Sequence, residues 1–267
     1  MNQLALALTQ RWNHRRSRFR PAGELIRPSD YEVAAIADDV TARRFVVTHH
    51  YAASYPAARE RYGLYRHGTL VGVAVFSHPT NNRTLTNVFP GDPRESIELG
   101  RFVLLDAVPG NGETWFLARA FALLRREGYR GVVSFSDPIP RARLDGTLVM
   151  PGHVGVIYQG HNAVYLGRGT RRRLRLLPDG TVFSDRAAQK IRKSERGWRY
   201  SAAKLERHGA SPVPPAAAAR RAWLKTWTPR LTRGLPHPGN HKYAWAFTRA
   251  DQRNLPPAAP YPRKVAA

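Results

Sequence analysis

Residues 98–138 read ELGRFVLLDAVPGNGETWFLARAFALLRREGYRGVVSFSDP. Leu99, Phe102, Val103, Leu104 and Leu105 form an apolar run of strand length. Pro109, Gly110, Asn111 and Gly112 break it, as turn residues do. Apolar positions then recur at three and four, at Phe116, Leu117, Ala120, Phe121, Leu123 and Leu124. That spacing predicts a helix, with Thr114 as its cap and Gly128 as its stop. Residues 131–135 are a second apolar strand. Strand, glycine-containing loop, helix and strand in that order predict an α/β chain with a mixed sheet.

The same reading extends in both directions. Residues 1–30 begin with Leu4, Leu6 and Leu8, followed by Arg11, Arg15, Arg16, Arg18 and Arg20. This predicts either a mobile basic arm or a short helix touching phosphate. Ser29 or Asp30 caps an expected helix to about Val40, and a second helix covers residues 42–50. Residues 62–66 and 69–77 are strands around His67-Gly68, a relative of the two-residue hairpin loops. Residues 79–97 read as a loop, 139–152 as a loop carrying Arg141 and Arg143, 154–161 as a short helix and 162–167 as a strand. Pro178-Asp179-Gly180 is a turn, and Ser184 or Asp185 caps a helix. Residues 211–219 form a Pro/Ala linker, and 223–239, with Pro229, Pro236 and Pro238, read as irregular. Residues 241–248 alternate and predict a last strand returning to the sheet. The Pro-rich end, 256–262, should lie extended on the surface. The resulting layout is a basic arm at 1–30, a core at 31–169, a basic insertion and Pro-rich segment at 170–239, and a strand with a tail at 240–267.

Charge changes this picture most. Lys and Arg number 43 against 19 Asp and Glu, a net charge of +24 in 267 residues. Such an excess speaks to partners rather than fold, and nucleic acid is the commonest polyanion. The excess concentrates between Arg168 and Arg207, where 13 basic residues face 4 acidic ones. There Arg186, Lys190 and Lys193 share one helical face and Arg192, Arg196 and Arg199 an adjoining one, with Trp198 and Tyr200 among them. Basic residues interleaved with aromatics suit phosphate contact and stacking on an exposed base. The alternative is a solvated helix whose aromatics dock it onto a core. Cysteine is absent, which excludes disulfides, thiolate nucleophiles and Cys-based zinc sites. No long apolar run or signal-peptide pattern argues for a membrane, and a cytoplasmic location fits. The histidines have no clear metal-ligand spacing, so no metal site is assigned.

Some residues stand out for chemistry on their own. Gly110, Asn111 and Gly112 open onto a helix N-terminus near Thr114, a place with unpaired N–H groups suited to a pyrophosphate or to ordinary turn chemistry. Arg101 sits among apolar neighbours, so it is either paired at a site or turned to solvent. Strict alternation puts it on the face of Leu99 and Val103, opposite Glu98. Asp137 closes a strand at its carboxyl end, where open α/β sheets bind ligands. A carboxylate there can accept a proton from an amine or hold a cation; the simpler alternative is a turn Asp before Pro.

His49-His50-Tyr51, Tyr62-Gly63-Leu64-Tyr65, residues 70–76, Asn111-x-Glu113-Thr114-Trp115-Phe116, Ser134-x-x-Asp137-Pro138, Ile157-Tyr158-Gln159 and residues 162–167 occur in series. This series resembles the Mom-like phage proteins of the Gcn5-related N-acetyltransferase (GNAT) fold, over roughly residues 42–169. The resemblance implies a DNA-modifying transferase that adds a small acyl-derived or glycine-derived group to a base. It implies acetyl-CoA or another activated acyl donor, held along a splayed strand at Val103 and Leu105 and by the loop of Gly110–Gly112. It also implies roles for His50, Tyr51 and Asp137 in catalysis, and for Tyr158 in protonating the leaving group. A hydroxymethyl-derived pyrimidine or tRNA is the alternative acceptor, and a DNA-coating protein the non-enzymatic alternative.

Overall fold

A computed structural model describes residues 8–21, 23–79 and 81–263. By internal packing the chain divides into two compact units. The first comprises Met1–Pro138, Gly152–Gly169 and Asn240–Ala267; the second comprises Ile139–Pro151 and Thr170–Gly239.

The first unit holds a seven-stranded mixed sheet. Its strands are β3 (Tyr31–Ala35), β4 (Ala58–Arg66), β5 (Thr69–Ser77), β6 (Ser96–Leu104), β7 (Gly131–Ser136), β10 (Val164–Arg168) and β13 (His241–Ala246). Their order is β10-β13-β7-β6-β5-β4-β3. Only β6 and β7 run parallel, and helix α3 (Gly112–Arg126) makes the crossover that parallel neighbours require. Its buried stripe, Phe116, Leu117, Ala120, Phe121 and Leu124, packs with Leu64, Phe76, Ile97 and Val132 in one core. Smaller apolar packing lies among Leu85, Phe89, Val133 and Ala244. Helix α4 (Val156–Gly160) adds Tyr158 to the main core.

Several expectations change here. The basic start is neither a mobile arm nor a helix: β1 (Leu8–Asn13) and β2 (Arg16–Pro21) pair as an antiparallel hairpin. Leu4 and Leu6 lie outside the described residues. The helix expected after Asp30 is strand β3, and the true cap is Asp38, whose carboxylate accepts from Thr41 N at 2.7 Å to start α1 (Asp39–His49). The hairpin at His67-Gly68 forms as read, both residues taking positive φ. The 79–97 loop contains a short helix, α2 (Arg83–Thr86). The last strand takes its place between β10 and β7, then gives way to α8 (Arg249–Arg253). The Pro-rich end lies along β10, with Ala259 N donating to Tyr165 O at 2.8 Å. No helix among the described residues is long and apolar enough to cross a membrane.

The second unit packs α5 (Asp185–Lys193), α6 (Trp198–Glu206) and α7 (Ala217–Leu231) around Ile191, Ala202, Leu205, Trp223 and Leu224. Ser184 caps α5 through Ala187 N. Strands β8 (Arg141–Ala142) and β9 (Leu148–Met150) form one ribbon where a loop was expected. Strands β11 (Arg172–Leu176) and β12 (Arg233–His237) form another. Residues 223–239 are thus largely ordered into α7 and β12 rather than irregular. Pro229 sits near the end of α7, where it costs one hydrogen bond, that of its missing N–H to the Lys225 carbonyl, and the helix ends at Leu231.

Candidate functional site

The parallel pairing of β6 with β7 runs only from Ser96↔Gly131 to Leu99↔Ser134. Both strands continue past that point, so they part and leave a gap in the sheet. The cause lies on the other edge of β6. Its register with β5 shifts between Leu99 and Arg101, leaving Gly100 as an extra, bulged residue. A Cβ on Gly100 would stand 2.7 Å from Ser77 Oγ and 3.3 Å from Pro56, so the close approach demands glycine.

The bulge also resets the alternation of side chains. Arg101 and Glu98 pair with Val75 and Ser77, two residues on one face of β5. Leu99 and Phe102 pair with Phe76 and Ala74 on the other. Arg101 therefore shares a face with Glu98, correcting the strict alternation that set them apart. The amides shift as well. Leu105 N donates to Val71 O at 2.9 Å, and antiparallel alternation turns the Val103 amide the same way, toward β5. The amides aimed at the gap are those of Phe102 and Leu104, one residue out of step with the expected Val103 and Leu105.

Arg101 does not reach for solvent. Its Nε donates to Ser54 O at 2.8 Å and its Nη2 to Ser54 Oγ at 2.7 Å, tying β6 to the segment after α1. Burial pushes the Glu98 carboxyl above the usual carboxylate range, and the nearby Arg101 charge only partly opposes it. Across the parting strands, Ser134 Oγ donates to Leu99 O, the last paired position, at 3.1 Å. Tyr158, hydrogen-bonded to Ser134, is buried; burial raises its hydroxyl above the ordinary tyrosine value, with Tyr51, Tyr243 and Glu98 also within electrostatic reach. Tyr243 holds the approach to α4 by donating to Val154 O at 2.5 Å. Gly155 there has φ 70°, and a Cβ would press on the Tyr243 ring at 2.9 Å.

His50 and Tyr51 leave α1 beside this gap. His50 is buried, and its Nδ1 accepts from Ala52 N at 3.1 Å, which puts the proton of a neutral ring on Nε2. The His50 and Tyr51 rings lie 4.2 Å apart, and Tyr51 meets His153 edge-on at 6.5 Å. His153 N donates to Asp137 O at 2.8 Å, just past the end of β7. The first unit thus carries Arg101, Tyr51, Tyr158, His50 and Asp137 together with Glu98, Ser134 and His153, which the sequence reading did not assign. Gly100 inside a strand pattern was the available signal, because it marks a bulge. Among the described residues no group of three or more His, Asp or Glu could hold a metal ion.

The expected donor loop has a different occupant. Asn111 caps α3 by position, and its Oδ1 accepts from Ile26 N at 2.7 Å. Thr114, expected as the cap, donates back to Asn111 O at 3.1 Å. The Glu113 carboxylate, buried in the first turn of α3, pairs with the buried Arg11, whose Nη2 also donates to Pro109 O at 2.6 Å. The first turn of α3 thus carries a buried Glu113–Arg11 ion pair of its own. A Cβ on Gly112 would meet Val108 Cγ1 at 2.3 Å, so this glycine serves packing. Gly112→Val should lower stability by roughly 1–3 kcal/mol through overpacking, read as a lower Tm. An unchanged Tm would contradict this packing role.

In the second unit Arg186, Arg192, Lys193, Arg196 and Arg199 are exposed and Lys190 is half-buried. Arg186 pairs with Glu195 at 2.6 Å. The Arg220 guanidinium lies 3.9 Å over the Trp198 ring and is tied to Ser194 Oγ, so one face of Trp198 is taken. Tyr200 is 65% exposed, with the Lys204 ammonium 5.5 Å from its ring centre. It borders a groove of about 500 Å³ with Trp198, Arg199, Glu206 and Pro215.

Among solved structures, an N-acetyltransferase from Staphylococcus aureus Mu50 aligns over 54% of this chain and 87% of its own, at 14% identity and a TM-score of 0.33. A GCN5-related N-acetyltransferase from Kribbella flavida aligns over 54% and 88%, at 16% identity and 0.33. A tandem GNAT protein from the clavulanic acid biosynthesis pathway aligns over 66% and 64%, at 10% identity and 0.36. Scores this low carry nothing about activity. No curated protein is significantly similar to the chain in sequence. The model of the Mom protein family matches residues 30–215, which include both strands of the gap, α3, α4 and the basic helices α5 and α6. The chain belongs to the Mom protein family.

Proposed function

We propose that this protein is a transferase that attaches a small acyl-derived group to an amine of a DNA base. One observation carries the reading: the gap between β6 and β7 is flanked by a half-buried carboxyl, Glu98, and a buried hydroxyl, Tyr158. Titratable groups shifted upward by burial at a break in a sheet are suited to acid–base chemistry. The donor's acyl-bearing arm would lie along the amides of Phe102 and Leu104. In the transfer, the base nitrogen bonds to the acyl carbon as the bond to the leaving group breaks. Glu98 takes the proton lost by the amine. Tyr158, held protonated by burial, gives its proton to the leaving group. Asp137, His50 and Tyr51 line the acceptor side.

The donor is an activated acyl compound. Acetyl-CoA is the first to assay. Family membership and a net charge of +24 support DNA as the acceptor. The base would be reached in single-stranded DNA or after extrusion from a duplex, since the stack hides it. Nucleoside mass spectrometry of DNA incubated with the protein and candidate donors tests the reading. A new nucleoside supports it; unmodified DNA with every donor, beside modified tRNA, would replace it with the tRNA alternative.

The helices of the second unit would hold phosphates. Replacing Lys190, Arg192 and Lys193 with alanine should flatten the salt dependence of DNA binding by roughly 0.9 in log–log slope for each phosphate no longer neutralised. The change should be alike for every DNA sequence, and an unchanged slope would remove α5 from the DNA surface.

A further inference from the structure

The hairpin β1–β2 carries five arginines and no acidic residue. Three of them are used by the protein itself. Arg11 is buried against Pro109 O and the Glu113 carboxylate. Arg20 holds Glu24 at 2.6 Å and the backbone oxygen of Asp106. Arg18 pairs with the Asp106 carboxylate at 3.3 Å. Arg15 and Arg16, at the turn, are exposed, and neither forms an ion pair among the described residues.

That turn is built against its own backbone preference. His14 and Arg15 have φ of 45° and 63°, a left-handed pair that Asn-Gly adopts readily and bulky residues do not. A strained turn kept by a rigid anchor points to a use for its side chains. The turn is also pinned in place. Arg15 N donates to His49 O at 2.9 Å, His14 N donates to His49 Nδ1 at 3.3 Å, and the two histidine rings lie 5.0 Å apart. His49 immediately precedes His50 and Tyr51 of the acceptor side.

We infer that the turn at Arg15 and Arg16 is a fixed phosphate-binding knuckle, which grips the DNA backbone beside the nucleotide presented to the gap. The inference rests on the DNA reading given above. Two exposed guanidiniums on consecutive residues suit neighbouring phosphates, because each offers a planar fork of donors. Pinning to the residue before His50 sets the distance from gripped backbone to reacting base, which a mobile arm could not do.

The test is duplex-oligonucleotide binding by fluorescence anisotropy across a salt series, with circular dichroism melts alongside. The proteins are the full chain, a variant with His14→Asn and Arg15→Gly, and Arg16→Ala. The Asn-Gly turn relieves the strain, so its Tm should equal or exceed that of the parent. Both variants should nevertheless lose roughly 0.9 in log–log salt slope, the share of one neutralised phosphate. Slopes equal to the parent's would overturn the knuckle and leave the DNA reading standing. A lower Tm for the Asn-Gly variant would also overturn it, because the turn residues would then be structural. A parent with no salt-dependent affinity for DNA would overturn both.

Discussion

Glu98→Gln should lower the transfer rate by roughly 100-fold or more, the scale of a lost general base. Gln keeps the size of the side chain and some hydrogen bonding, but it cannot take a proton from the amine. The pH dependence separates this from a general loss of structure. Burial raises the Glu98 carboxyl, so the wild-type rate should climb as pH rises through that raised value. The residual rate of the variant should have lost that limb. Stability should move in the opposite sense. An acid whose folded pKa lies above its unfolded value favours the fold while protonated, and that contribution is lost as pH rises through the folded pKa. The Gln variant has no such loss, so above that pH it should melt at or above the wild type. Low activity with a markedly lower Tm would make Glu98 a structural residue.

Asp137→Asn should weaken transfer by roughly 10- to 100-fold, the worth of about 1–3 kcal/mol for a paired contact to a base edge. The tie between Asp137 and His153 runs through the backbone oxygen, which the substitution leaves in place. Asn keeps the size of the side chain and much of its hydrogen bonding, so Tm should stay close to that of the wild type. Because the residue is assigned to the acceptor, the loss should depend on DNA concentration and leave donor saturation unchanged. Equal loss at saturating DNA would move Asp137 into the chemical step, and near-normal transfer would remove it from the site.

Much of the sheet was legible because its signals are local. The turn at His67-Gly68, the stripe of α3 and the alternation after His241 each follow from spacing alone. Strand β3 was hidden because Ser29 and Asp30 imitate a cap, and because an edge strand shows weak alternation. The stripe Arg220, Trp223, Leu224, Trp227 and Leu231 was overruled by Pro229, although a proline near the end of a helix costs one hydrogen bond. The first hairpin was hidden because His14 and Arg15 are poor turn residues. For the site, the residue types around Asp137 and Tyr158 were readable, but the gap was not. It depends on a bulge at Gly100 and on where two strands distant in sequence stop pairing. One bulged residue reversed the face of Arg101 and brought Glu98 beside it.

Mass spectrometry of the nucleosides from DNA of cells producing the wild type or Glu98→Gln tests whether Glu98 serves base modification. Wild-type DNA should contain a nucleoside heavier than its parent by a small acyl-derived group, nearly absent with the variant. No new nucleoside in the wild-type DNA, or equal amounts in both, would contradict that role.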